Sequence, residues 1–207
     1  MDRRGFLGTT ILGATGAISG LRTVDGDGNR SQLVAAESKP GDPETYTALG
    51  GFSPTQGVHQ WKYEEAVAGA AFRDMRWDKG GYEGRWVGSN RATIGRIWMQ
   101  PGAEATVSRT FIAPAKANLT ISGLIRKDPS AQNGNIIKAR VLHNDRQIWP
   151  ASGWAEILPD FSKAIECRIE NRPVVEGDSV RFVLERSGHG ALDPVIWNPT
   201  VLVIRRK

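Results

Sequence analysis

The chain has 207 residues, with 27 Lys plus Arg against 22 Asp plus Glu and a formal net charge of +5; 40% of it is apolar and 24% charged, a globular rather than a disordered or coiled composition. One cysteine excludes an intramolecular disulfide scaffold, and the length suits one core better than two. The modest basicity tolerates an acidic partner but lacks the concentrated stripe of a nucleic-acid binder, so no nucleic-acid partner is expected.

At the amino terminus Arg3 and Arg4 precede an apolar, glycine-diluted stretch over 9–21, and Val34, Ala35 and Ala36 supply the small residues a signal peptidase accepts. This order resembles a twin-arginine export signal over 1–36 and predicts a secreted or periplasmic protein. The stretch is too short for an anchor, and no later run approaches the roughly 18 apolar residues of a span, so no membrane contact is expected after cleavage. Residues 37–60 read as a linker, since 37–53 is rich in Pro, Gly, Glu and Thr. The remaining 61–207 is assigned to one folded domain. Its first piece, 61–74, reads as a single helix or an irregular wrap, and its Ala and Glu content favours the helix.

From Thr93 onward the chain falls into short runs of β-branched and aromatic residues bounded by Gly, Pro, Asn or Asp, which predicts an all-β fold, an antiparallel β-sandwich. The runs are 93–100, 106–112, 117–126, 136–143, 146–150, 164–170, 179–185 and 194–204. Leu119, Ile121, Gly123 and Ile125 alternate with Thr120 and Ser122, and Val180, Phe182 and Leu184 with Arg181 and Val183, as half-buried strands require. Asn144 and Asp145 predict a tight hairpin of primed type. Pro101-Gly102 and Gly177-Asp178 are further turn chemistry. Cys167 within a strand reads as a small buried apolar side chain.

Taken in order, Pro114, the Ile121-Ser122-Gly123 strand, the Val141 to Trp149 hairpin, the Gly177-Asp178-x-Val180-x-Phe182 strand and the Asp193-Pro194-x-Ile196 closure resemble the carbohydrate-binding-module-like accessory domains found beside glycoside hydrolases and polysaccharide lyases. The resemblance covers about 93–204. It implies a galactose-binding-like or jelly-roll sandwich that binds a polysaccharide or oligosaccharide without chemistry of its own, with a separately encoded carbohydrate-active enzyme as a partner. It also implies a structural calcium near the last strand, for which Asp193 is the candidate ligand, although no dense carboxylate string of a dedicated calcium loop is present.

In an antiparallel sandwich successive connections lie at opposite ends, so 127–135, 151–163 and 186–193 are expected to share one end. They carry Asp128, Gln132, Asn133, Trp154, Glu156, Arg186, His189 and Asp193. A sugar site needs an aromatic plate for the apolar ring face and amide, carboxylate or guanidinium groups for the hydroxyls. Trp149 and Trp154 beside these loops are the first candidate plates. Trp77, Asp78, Tyr82, Glu83, Arg85 and Trp86 in a glycine-rich stretch form a second cluster, with Tyr82, Arg85 and Trp86 as its ligand-binding candidates. Trp61, Trp98 and Trp197 are assigned to the core, His143 to a turn and Asp178 to backbone hydrogen bonding.

Enzyme chemistry finds little support: there is no Gly-x-Ser-x-Gly, no His-Glu-x-x-His, no paired-Cys spacing and no glycine-rich phosphate loop after a strand. Two alternatives stand beside the binding module. One is a polysaccharide lyase or glycoside hydrolase using Tyr82, Arg85, His143 and His189 if folding gathers them. The other is a structural domain docking on a partner protein.

Overall fold

The computed structural model describes residues 42–80, 83–131, 135–187 and 193–207. Among them the strands are, in chain order, β1 (Pro43–Thr47), β2 (Trp61–Val67), β3 (Arg73–Asp74), β4 (Arg76–Asp78), β5 (Arg85–Val87), β6 (Thr93–Ile94), β7 (Trp98–Gln100), β8 (Ala105–Ile112), β9 (Ala117–Lys127), β10 (Ile137–His143), β11 (Arg146–Trp149), β12 (Ala155–Ile157), β13 (Ile165–Val174), β14 (Ser179–Arg186), β15 (Val195–Trp197) and β16 (Thr200–Arg205). They pair antiparallel into two sheets. The first runs β1-β16-β9-β15-β7-β6-β5-β4, with β13 on the other side of β9; the second runs β11-β10-β14-β8-β2-β3, with β12 prolonging β11 along β10. Among the described residues no helix is long and apolar enough to cross a membrane.

Period-two alternation builds the sandwich. Leu119, Ile121 and Ile125 of β9 and Val180, Phe182 and Leu184 of β14 are buried between the sheets, as expected, and the polar residues between them point away. Aromatic pairs lock the layers: Phe182 meets Trp197 edge-on at 5.5 Å, and Tyr63 stacks on Trp86 at 5.1 Å. Trp61 and Trp197 are core residues, as assigned. The 144–145 turn has positive φ at both residues, 46° and 66°, as a primed hairpin demands.

Several expectations are corrected. The helix over 61–74 is instead β2 and β3: Trp61 and Tyr63 alternate inward opposite Phe111 and Arg109, and this strand periodicity overrides the helix propensity of Ala and Glu. The linker over 37–60 gives way within its described part to β1, which completes the β16 edge, and to Ala48, which is buried. The run 93–100 folds back at Gly95 into the β6–β7 pair, and 194–204 breaks at Asn198-Pro199 into β15 and β16, both laid along β9. The described strand ends that border the three connections expected to share an end, Lys127 and Ile137, Ile157 and Ile165, and Arg186 and Val195, do lie at one end. This follows because Ile165 pairs with Ile125, and Arg186 and Ile157 both pair with Ile137. Residues 150–154, by contrast, interrupt the edge strand formed by β11 and β12. The export signal over 1–36 lies outside the described residues.

Candidate functional site

The outward positions of the second sheet build a groove. On β14 these are Arg181 and Glu185, on β10 Arg140 and Leu142, on β8 Thr106, Ser108 and Thr110, and on β2 Glu64 and Ala66. The β2–β3 connection, Ala68, Gly69, Ala70, Ala71 and Phe72, forms one wall, and its small side chains leave the space beside it open. Two cavities of about 410 and 440 Å³ result. They share Gly69, Thr106 and Glu185 and so adjoin along the groove. Each volume lies in the range of about 300–1,000 Å³ typical of ligand sites.

Charge organises this groove. The Arg181 guanidinium is anchored by Glu64 (Nε–Oε2 3.1 Å) and Asp145 (Nη1–Oδ1 2.7 Å) and lies over the Phe72 ring at 5.0 Å. Buried Glu64 also accepts a hydrogen bond from the Thr110 hydroxyl. Arg140 lies over the Trp154 ring, 4.0 Å from its centroid, and burial holds its guanidinium below the ordinary arginine range while Glu185 opposes that shift. Its Nε is buried and, among the described residues, has no hydrogen-bond partner. The site therefore presents two guanidinium groups, carboxylates and hydroxyls along an open channel, with an indole at its flank.

Of the residues singled out in the sequence, Trp154 stands on this outer face, Arg186 lines the far end of the groove beside Glu104, and Glu156 is exposed on β12. Trp149 does not join them. It lies opposite core-facing Val141, half-buried, with its ring 6.4 Å from Trp197. Trp86 is likewise no plate: it is 3% exposed, stacked on Tyr63, and donates its indole N–H to the Ser53 carbonyl at 3.1 Å. Trp98, assigned to the core, instead faces outward beside Ile196 on the first sheet. Asp128 accepts from the Ser130 amide and hydroxyl at 2.8 and 2.6 Å, which makes it a turn residue. Tyr82, Gln132, Asn133 and His189 lie outside the described residues.

Asp193 does not fit a calcium ligand. Both its oxygens are engaged in the interior, by the Lys127 ammonium at 3.0 Å and the Asn135 amide at 2.6 Å. A fully buried ammonium at that distance occupies the ground a cation would need. Among the described residues no group of three His, Cys, Asp or Glu is placed to hold a metal.

Of the set proposed for catalysis, the two described members, Arg85 and His143, stand on different sheets. Arg85 is on β5, which packs over β2 through Trp86 and Tyr63; His143 ends β10, three strand spacings of about 4.8 Å from β2. His143 is held at a turn, hydrogen-bonded to Asp178 at 2.9 Å and receiving Arg172 Nε on Nδ1 at 3.0 Å. Sequence reasoning missed Arg140, Arg181 and Glu185 as site residues. The signal available was the charge placed on the outward positions of the two most regular strands.

An antiparallel sandwich with a charged, tryptophan-flanked groove on one outer face is the class these features define. No protein-family model matches the chain, and no curated protein matches it in sequence. Solved structures with a similar course include a xylan-binding module of family 15 (7% identity, 80% of this chain and 99% of that one, TM-score 0.38). A family 22 xylan-binding domain from Paenibacillus barcinonensis follows at 12% identity, 82% and 99% coverage and TM-score 0.37. A family 35 carbohydrate-binding module from Clostridium thermocellum aligns at 9% identity, 77% and 97% coverage and TM-score 0.34. At such scores the ligand of this chain has to be read from its own residues.

Proposed function

We propose that the protein is an exported, non-catalytic polysaccharide-binding protein whose ligand lies along the groove of the second sheet. The observation that carries this reading is the Trp154–Arg140 pair at the flank of a channel lined by Arg181, Glu185 and Thr106. An indole meets the apolar face of a pyranose, and guanidinium, carboxylate and hydroxyl groups meet its hydroxyls. Two cavities adjoining along the groove suit a stretch of chain better than a single terminal sugar. Glu64 and Asp145 are ion-paired with Arg181, and Glu185 acts on the Arg140 guanidinium through its charge, an arrangement suited to hydrogen bonding with a sugar. The Arg3-Arg4 signal supports export to the periplasm or beyond.

The test is electrophoresis of the full chain through gels containing xylan, galactan or polygalacturonate, with parallel analysis for new reducing ends or unsaturated uronic acids. Retardation without products, lost in Trp154→Ala, is the expected result. Products would make the protein a lyase or hydrolase, and absence of both retardation and products would turn attention to a protein partner such as a separately encoded enzyme.

A further inference from the structure

The first sheet carries an aromatic surface that the groove does not use. Trp98, on β7, lies over the backbone of Gly95: a Cβ at that position would come within 2.3 Å of the indole, so only glycine lets the ring lie so close. Around it Gly80, Glu83, Gly84, Arg85 and Arg96 enclose a space of about 260 Å³. Two ion pairs stand in its walls, Arg85–Asp78 at 3.2 Å and Arg96–Glu83 at 3.0 Å. Gly84 allows the neighbouring Trp77 ring to turn away toward the core, since a Cβ there would meet that ring at 2.2 Å.

The bed of Trp98 is braced from inside. Arg109 of β8, fully buried, reaches across from the opposite sheet, and its Nη2 donates to the carbonyls of Gly95 at 2.6 Å, Arg96 at 3.0 Å and Trp98 at 3.4 Å. No carboxylate hydrogen-bonds this guanidinium among the described residues, and its Nε and Nη1 have no hydrogen-bond partner there. A buried cation is costly, and here its hydrogen bonds go to a surface turn of four residues. That turn is held as rigidly as a binding platform requires.

We infer that Trp98, with the Arg85–Asp78 and Arg96–Glu83 pairs beside it, is a second carbohydrate site, and that the protein holds two glycan segments at once on opposite faces of the sandwich. This inference rests on the carbohydrate reading of the groove. The chemistry is the same, an indole for the ring face and guanidinium and carboxylate for the hydroxyls. The volume, below the roughly 300 Å³ lower bound for sites that enclose a drug-sized molecule, suits one sugar ring laid on the surface. Because two sheets about 10 Å apart separate the sites, they face away from each other and take separate chains or distant segments of one.

The experiment titrates the full-length, isotope-labelled protein with xylohexaose, β-1,4-galactohexaose and hexagalacturonate. It follows the indole N–H resonances, with Trp98→Phe and Trp154→Phe to assign two of them, and calorimetry to count sites. The expected result is that one hexaose shifts both the Trp98 and Trp154 resonances with two sites per chain, and that Trp98→Ala lowers the count to one at an unchanged melting temperature while the Trp154 resonance still responds. Response of Trp154 alone, with one site in wild type and Trp98→Ala alike, overturns the second site and leaves the groove reading intact. Response of Trp98 alone overturns the groove and with it the claim that two segments are held at once, leaving one site at Trp98, and response of neither overturns both.

Discussion

Two buried cations show how single residues organise this molecule. Lys127 and Asp193 are both inaccessible and meet at 3.0 Å, with Asn135 satisfying the second carboxylate oxygen. Removing one partner leaves an uncompensated charge in the interior, so Lys127→Ala or Asp193→Ala is expected to lose about 3–5 kcal/mol in denaturant unfolding, and Lys127→Met with Asp193→Leu to recover most of it. Since that pair engages both Asp193 oxygens, calcium is not expected to act through Asp193, and Lys127→Met with Asp193→Leu should leave the response of the melting temperature to added calcium as it is in the wild type. Arg109 presents the other case, a cation hydrogen-bonded to carbonyls, and burial pushes its guanidinium down to about 10. Arg109→Leu is expected to cost about 2–4 kcal/mol by leaving the Gly95 and Arg96 carbonyls without their guanidinium donor, the Trp98 carbonyl keeping the Gly95 amide at 2.9 Å, and is read as a lower denaturant midpoint.

At the scale of elements, edges decide what is dispensable. β1 covers the open side of β16 from Thr200 to Ile204, packs Tyr46 against Phe111 at 5.2 Å, and ties Glu44 to Arg205 at 2.6 Å. Deleting residues 1–41 should leave the melting temperature unchanged. Deleting 1–48 should lower it by an amount equivalent to about 2–4 kcal/mol and promote self-association, because an unpaired β16 edge recruits other strands. Light scattering during the melt separates the two effects. Proline appears in this sheet where edges tolerate it, at the start of β1 (Pro43) and in β13 (Pro173), whose far side has no ladder among the described residues.

For the whole molecule, alkaline pH is the condition that sets core against solvent. Burial pushes the Cys167 thiol from 9.0 and the Tyr63 phenol from 10.0 up to about 12. Both groups are free to ionise in the unfolded chain but stay protonated in the folded one, so the unfolded state binds fewer protons between about pH 9 and 12 and stability falls as pH rises through that window. The slope is about 1.4 kcal/mol per pH unit for each group once its unfolded form ionises. Thermal melts should therefore be flat with respect to these two groups below pH 9 and decline above it, less steeply from about pH 10 where folded Arg109 begins to lose its proton, and Cys167→Ala should make the decline shallower from about pH 9 to 12. The same burial makes the thiol slow toward a disulfide reagent in the folded protein.

Local chemistry determined most strands between residues 105 and 186, the hairpin at Asn144-Asp145 and the sandwich class, because alternation and turn residues act over a few positions. Parity also gave the end at which the strands bordering the three connections expected to share an end stop, but not that residues 150–154, with Trp154, interrupt an edge strand and lie away from that end. Only the tertiary structure decided which tryptophans face solvent. Trp149 and Trp86 turn inward and Trp98 outward because each strand's register against its neighbours, set across 98 residues of sequence in the case of Trp98 and Ile196, chooses the face. Nor was the groove legible before Arg140, Arg181 and Glu64 were brought side by side from three strands, because its charge pairs join residues as far apart as 64 and 181. Sequence spacing carries no trace of that distance, and the interior that buried Lys127 with Asp193 is likewise a property of the assembled sheets.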